Sequence, residues 1–257
     1  MIYLVLQAWA VAAVLQLVLW VVQQRTRNAG IVDVGWAGSF TLVVGLFAWR
    51  GTAAATSWWP LALVAVAWSA RLTWHLVARG AASSPEEGRY AELRARWGAG
   101  ATRKFFVFFQ AQAALTGVLS LAFVVPFVAE PRCGALRWAG AGVALLGLAG
   151  ETVADAQLRA FKRRHPGRVC DVGLWSWSRH PNYFFEWCVW LGYAIHGLAF
   201  WPYGAIAIVP QALLLSSILF VTGIPPTEKQ SIASRGDAYR AYQARVSRFV
   251  PWPPKRS

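Results

Sequence analysis

The sequence predicts an all-α integral membrane protein, a bundle of about seven transmembrane helices with short cytoplasmic interfacial helices. Three observations lead there. The chain has 257 residues, 57% hydrophobic and only 14% charged, where a soluble domain carries about 25% charged residues. Its apolar residues gather in runs of roughly 20, long enough to cross a hydrocarbon core of about 30 Å. Its basic residues collect in alternate loops: Arg25 and Arg27, then Arg79 to Lys104, then Arg159 to Arg179, then the tail from Lys229. Lys and Arg mark the cytoplasmic side, so the alternation places the N-terminus outside and the C-terminus in the cytoplasm.

The elements follow in order. The first run, Ile2–Val22, has no positive segment before it and exceeds the apolar stretch of a secretion signal, so it reads as a span. The second and third, Ile31–Trp49 and Trp58–Val77, are interrupted by Asp33 and Arg71. In the polar insertion that follows, Pro85 to Trp97 has the period of an interfacial helix, with Tyr90, Leu93 and Trp97 on one face. The fourth span is Phe105–Val128 and carries Gln110 and Gln112; the fifth is Leu136–Ala154. Within the fifth, "GAGVALL" resembles a dinucleotide fingerprint but lacks the third glycine and a preceding strand. Its small residues instead let two helices approach closely. Tyr183–Phe200 and Tyr203–Ile224 complete the set. Thr227 followed three residues later by Gln230 is a capping-box pattern, opening a second interfacial helix that runs past Tyr239 and Tyr242.

The whole of 1–257 reads as one transmembrane domain. The net charge of +14 follows from topology and lipid contact, so nucleic acid is excluded as a partner and membrane lipids are expected instead. Cys133, Cys170 and Cys188 show neither metal-ligand spacing nor a disulfide framework, and no metal is expected.

An ionisable residue inside a span costs about 2.5–3.5 kcal/mol near the midplane and so marks a cavity or a site. Here these are Asp33, Arg71, His75, Glu151, Asp155 and Glu186. Glu151, Asp155, Arg159 and Lys162 recur at spacings of four, four and three, on one helical face. The plain reading of that face is a salt-bridge ladder worth a few tenths of a kcal/mol per pair; the functional reading is a site, because Glu151 and Asp155 lie deeper than a solvated ladder would. The second cluster is "SRHPN", Ser178 to Asn182. Pro181 suits the first turn of a helix, and the free N–H groups there, beside Arg179 and His180, form an anion or phosphate seat. Asn182 and Glu186 are four apart and share the face below it, so Glu186 faces a pocket rather than lipid. A structural Glu186 paired to an arginine is the alternative.

"GLWSWSRHPNYFFEWCVWLGYA" resembles the signature of the steroid 5-alpha reductase family of membrane-embedded NADPH-dependent reductases. "IVDVGW" and "EEGRYAELRARWG" are similar to its bacterial branch, and the tail from Glu228 to Trp252 is similar to its closing interfacial helix. The resemblance covers most of the chain and implies seven spans, an inner (plasma) membrane location and an enone C=C reductase for a steroid- or isoprenoid-like lipid. It implies a substrate side in 1–128 and a cofactor-binding half in 136–257. By position it assigns Asp155, Arg159 and Lys162 to the adenosine and phosphates of NADPH, and Asn182 and Glu186 to the nicotinamide; Arg179 and His180, in the anion seat read above, join the cofactor-binding set. Glu151 falls where the steroid enzymes have an asparagine. No counterpart of their ketone-polarising tyrosine on the third span is found, so Asp33, His75 and Gln110 are the candidates for that donor. Asp33, His75 and Glu186 are taken as the catalytic set. The Arg-His-Pro-Asn-Tyr core is also similar to that of isoprenylcysteine carboxyl methyltransferases, which would imply S-adenosylmethionine. The charged ladder, together with Trp190-Leu191-Gly192-Tyr193 after Glu186, favours the reductase and its phosphate-bearing cofactor; a non-catalytic lipid-binding or structural membrane protein is the remaining alternative.

Overall fold

A computed structural model describes residues 1–83, 85–86 and 88–255. These described residues contain no strand and form nine α-helices, joined by short 3₁₀ turns and, at Ser217–Val221, a π-helical turn. Five stretches are long and apolar enough to cross a membrane: Ile2–Thr26, Ile31–Arg50, Ala55–Ala78, Arg89–Ala122 and Tyr203–Arg245. The fifth and sixth runs of the sequence reading fall in helices outside that set. One of them ends in a charged tail and the other carries Asn182, Glu186 and His196 within 18 residues.

The chain divides into two compact units. Unit 1 comprises Met1–Cys133 with Ala199–Ile206. It contains α1 (Ile2–Thr26), α2 (Ile31–Arg50), α3 (Ala55–Ala78), α4 (Arg89–Trp97) and α5 (Ala101–Leu119). Helix α1 packs on α2 and α5, and α2 on α3. Aromatic rings fill the interior: Phe40 lies edge-on to Trp68 at 5.4 Å and to Phe123 at 6.0 Å, and Trp58 stacks on Phe127 at 5.0 Å. Such pairs add about 0.5–1.5 kcal/mol each beyond the area they bury. Helix α4 starts at Arg89, four residues later than Pro85, although Glu87 lies outside the described residues. Its inward face is the one the sequence periodicity indicates. Tyr90 is buried with Phe105 and Phe109, and Leu93 and Trp97 pack against them.

Unit 2 comprises Gly134–Leu198 with Ala207–Ser257. Its core is an antiparallel pair, α6 (Gly134–Arg164) and α7 (Pro181–Leu198), followed by α8 (Ile208–Ser216) and α9 (Ile224–Arg245). Gly140, Ala144 and Gly147 form a seam along which the α7 backbone lies almost against α6. A Cβ on Gly140 would meet His196 N at 2.3 Å, and one on Gly147 would meet Val189 N at 2.7 Å. The "GAGVALL" stretch is therefore a helix-packing surface. Glu151 and Asp155 continue the same face past the glycines, which brings both carboxylates against α7. Helix α9 begins at Ile224, three residues before Thr227, because Pro225 and Pro226 suit a first turn. Thr227 Oγ1 donates back to the Gly223 carbonyl at 2.8 Å and does not cap the helix. The helix bends at Gly236, whose φ of +53° a side chain would strain.

Candidate functional site in unit 2

The loop before α7 is fixed from two sides. On the α6 side, Trp175 Nε1 donates to the Ala154 carbonyl at 2.9 Å, and Leu174 N donates to Gln157 Oε1 at 2.9 Å. On the other side, the chain beyond α9 pairs with it: Arg179 N donates to Ser247 O at 2.8 Å, and Trp252 N to Trp177 O at 2.9 Å. Tyr242 is buried and donates from its hydroxyl to the Trp175 carbonyl at 2.5 Å. Pro181 then opens α7.

Arg179 and His180 are committed to α9 by this arrangement. Arg179 donates from Nε to Glu228 Oε1 at 2.7 Å, and from its terminal nitrogen to the carbonyls of Gln243 at 2.9 Å and Val246 at 2.8 Å. His180 Nε2 lies 3.2 Å from the same Glu228 oxygen, and Gln243 Nε2 donates to the other at 3.0 Å. Burial lowers the His180 pKa below its ordinary value, with the Glu228 bond acting in the opposite sense. The imidazole is therefore neutral at pH 7 and donates its Nε2 proton to Glu228. The ring of Tyr183 stacks on it at 5.5 Å. The two side chains read from the sequence as flanking an anion seat thus both bond the chain's own carboxylate, Glu228.

One turn further in, the polar set of α6 and α7 meets. Asn182 Nδ2 donates to Asp155 Oδ1 at 3.3 Å. Glu151 and Asp155 are only 4% and 7% exposed, which sets them apart from a solvated ladder. Glu186 is half-buried on the same face of α7 as Tyr193, seven residues on; Tyr193 is fully buried and within electrostatic range of both Glu151 and Glu186. Arg159 and Lys162, one and two turns beyond Asp155, are exposed. Along this face, buried carboxylates and an amide therefore give way to two exposed cations. That gradient suits a ligand with an amide-bearing ring at one end and phosphates at the other.

Of the residues read from the sequence, Asp155, Asn182 and Glu186 share this face with Glu151, and Arg159 and Lys162 border it. Arg179 and His180 stand beside it as supports. Tyr193, Glu228 and Gln157 belong to this arrangement without being among the site residues read from the sequence. The seven-residue spacing from Glu186 to Tyr193 is a usable signal; the partners of Glu228, 48 and 49 positions away, lie beyond any local pattern.

Asp33 and His75 belong to unit 1. Asp33, in the first turn of α2, accepts from the Arg89 guanidinium at 2.8 Å and from the Tyr90 hydroxyl at 2.8 Å. It is an acceptor here, so the O–H donor of this cluster is Tyr90, whose oxygen also accepts from Arg89 at 2.7 Å. His75 is half-buried in the last turn of α3, and Gln110 donates to the Ala13 carbonyl at 3.4 Å. Beside this cluster Glu86 accepts from Ala29 N at 2.6 Å and from Arg94 Nε at 2.6 Å, closing the α2 N-terminus. Among the described residues no cluster of three His, Cys, Asp or Glu side chains could hold a metal ion.

The profile of the family described as "Protein of unknown function (DUF1295)" matches residues 19–246, from the end of α1 to the last turn of α9. The chain belongs to the DUF1295 family. That match takes in Asp33, the whole α6–α7 site and the Glu228 contact. An uncharacterized protein of the fission yeast Schizosaccharomyces pombe is 26% identical over 270 residues, covering 91% of this chain and 76% of the yeast protein. No solved structure matches the chain.

Proposed function

We propose that this DUF1295 protein is a membrane-embedded, NADPH-dependent reductase of an enone C=C bond in a steroid- or isoprenoid-like lipid. The observation that supports this best is the polarity gradient along one face of α6. Buried Glu151 and Asp155 meet Asn182 at one end, and exposed Arg159 and Lys162 stand at the other. The likeness of the α7 stretch and the tail to steroid 5-alpha reductases supports the same reading.

The residues present fit the cofactor. Asn182 and Glu186 would hold the nicotinamide carboxamide, a carboxylate being the acceptor an amide N–H prefers. Arg159 and Lys162 would take the phosphates, and Asp155 would orient Asn182. Arg179 and His180, bound to Glu228, keep the α7 entrance in place and leave phosphate binding to the α6 cations. NADPH, when bound, supplies a hydride. Reduction also needs a proton from an O–H group.

On this reading α6 and α7 also cross the bilayer, giving seven spans with the N-terminus outside and the C-terminus in the cytoplasm of an inner (plasma) membrane. Their polar residues then face each other along the seam and not lipid. The test is thermal unfolding of the purified protein with each cofactor. NADPH raising the melting temperature, with S-adenosylmethionine inert, supports the reductase. The opposite pattern replaces it with a lipid methyltransferase.

A further inference from the structure

Where α1 ends and α5 begins, unit 1 carries an open groove of about 450 Å³ lined by Trp20, Ala99, Thr102, Arg103 and Phe106. Its position in the fold is set by hydrogen bonds. Trp20 Nε1 donates to the Thr102 carbonyl at 3.2 Å, and Thr102 Oγ1 donates to Gln24 Oε1 at 3.4 Å. The Trp20 and Phe106 rings meet edge to face at 5.2 Å and form an apolar wall. Arg103 and Phe106 are three apart, so they share one face of α5 with the cation about one turn above the ring.

Depth then decides what the groove suits. Trp20 lies near the end of an apolar stretch long enough to span a membrane, and a tryptophan there sits at headgroup level. Arg103 is therefore level with lipid phosphates, and Phe106 with the first methylenes of the acyl chains. No carboxylate lines the groove, and among the described residues Arg103 has no carboxylate partner. Further cations surround it in sequence: Arg25 follows Gln24, Arg96 precedes the groove by three residues, and Lys104 lies over the Trp97 ring at 5.8 Å. Excess positive charge above an aromatic wall matches a negatively charged headgroup carrying an acyl chain. It matches a zwitterionic one less well, because the ammonium would face the same cations.

We propose that this groove is a binding site for one anionic phospholipid, its phosphate on Arg103 and its glycerol and upper acyl chain along Trp20 and Phe106. The site is independent of the α6–α7 face.

Native mass spectrometry of the full chain in detergent, titrated with phosphatidylglycerol or phosphatidylcholine of identical chains, tests it. Phosphatidylglycerol is expected to bind at least five-fold more tightly. Arg103→Gln should bring the two lipids within two-fold of each other. Arg103→Lys should keep the preference, and Trp20→Ala should weaken both lipids. Arg163→Gln, an exposed cation on α6, should change nothing. Equal loss from Arg163→Gln would mean diffuse charge rather than a site. Competition by inorganic phosphate, or a preference that survives Arg103→Gln, would also overturn the proposal.

Discussion

Substituting Gly147 by alanine tests how the fold builds the α6–α7 site. The new Cβ would lie 2.7 Å from Val189 N, 2.8 Å from Phe185 O and 3.0 Å from Val189 Cγ2. Two of those three are backbone atoms, which no rotamer change can move. The helices must separate by several tenths of an ångström, and overpacking of that kind costs about 1–3 kcal/mol. The separation falls one turn from Glu151 and two from Asp155, so the 3.3 Å contact of Asp155 with Asn182 should lengthen. Gly142 is the internal control. It lies on the same helix, and a Cβ there meets nothing within 4 Å. Gly142→Ala should be neutral or up to about 1 kcal/mol stabilising through helix propensity. Thermal unfolding in detergent, with NADPH affinity measured alongside, reads both effects. Gly147→Ala should lower the melting temperature and the affinity together. Equal behaviour of the two variants would refute the argument that close backbone approach forms the site.

Two further outcomes follow from charged contacts. Glu228→Gln should cost about 1.5–3 kcal/mol, the range for a hydrogen bond to a charged group, and should expose the chain after α9 to protease; intact resistance would show that Glu228 does not hold the Arg179 turn. For Glu86, burial acts to raise the pKa, but the hydrogen bonds from Arg94 and Ala29 N outweigh it and hold the carboxyl below its ordinary 4.5. Its stabilisation is therefore present above about 4.5 and lost as pH falls through the folded-state value. The melting gap between wild type and Glu86→Gln should stay constant from about pH 7 to 5 and shrink as pH falls below about 4.5; a gap that does not change with pH would contradict the assignment.

Local pattern carried part of this structure. The spacing of Glu151, Asp155, Arg159 and Lys162 shows one helical face because a helix is rigid over three turns. The glycines of α6 are legible as a packing seam for the same reason. Tyr90 could be placed on the inward face of α4, but its bond to Asp33 joins positions 57 apart, a distance that no helical period spans. Glu228 sat inside what resembled a capping box, and only the folding of α9 onto the α7 entrance showed it satisfying Arg179 and His180. The start of α9 was misplaced because two prolines, which interrupt a helix elsewhere, are favourable in a first turn.

The most direct measurement of the central claim is an NADPH titration of wild type, Glu186→Gln and Asn182→Ala in one detergent. If Glu186 and Asn182 hold the nicotinamide amide, Glu186→Gln should weaken binding by about 1.5–3 kcal/mol, roughly ten- to hundred-fold. Asn182→Ala should weaken it as well, and the double variant should lose less than the sum, since neighbours in one network are not additive. The melting temperature of unliganded Glu186→Gln should hold, because a neutral isostere is cheaper to bury than a carboxylate. Unchanged NADPH affinity with a lowered melting temperature would contradict the account and make Glu186 a structural residue.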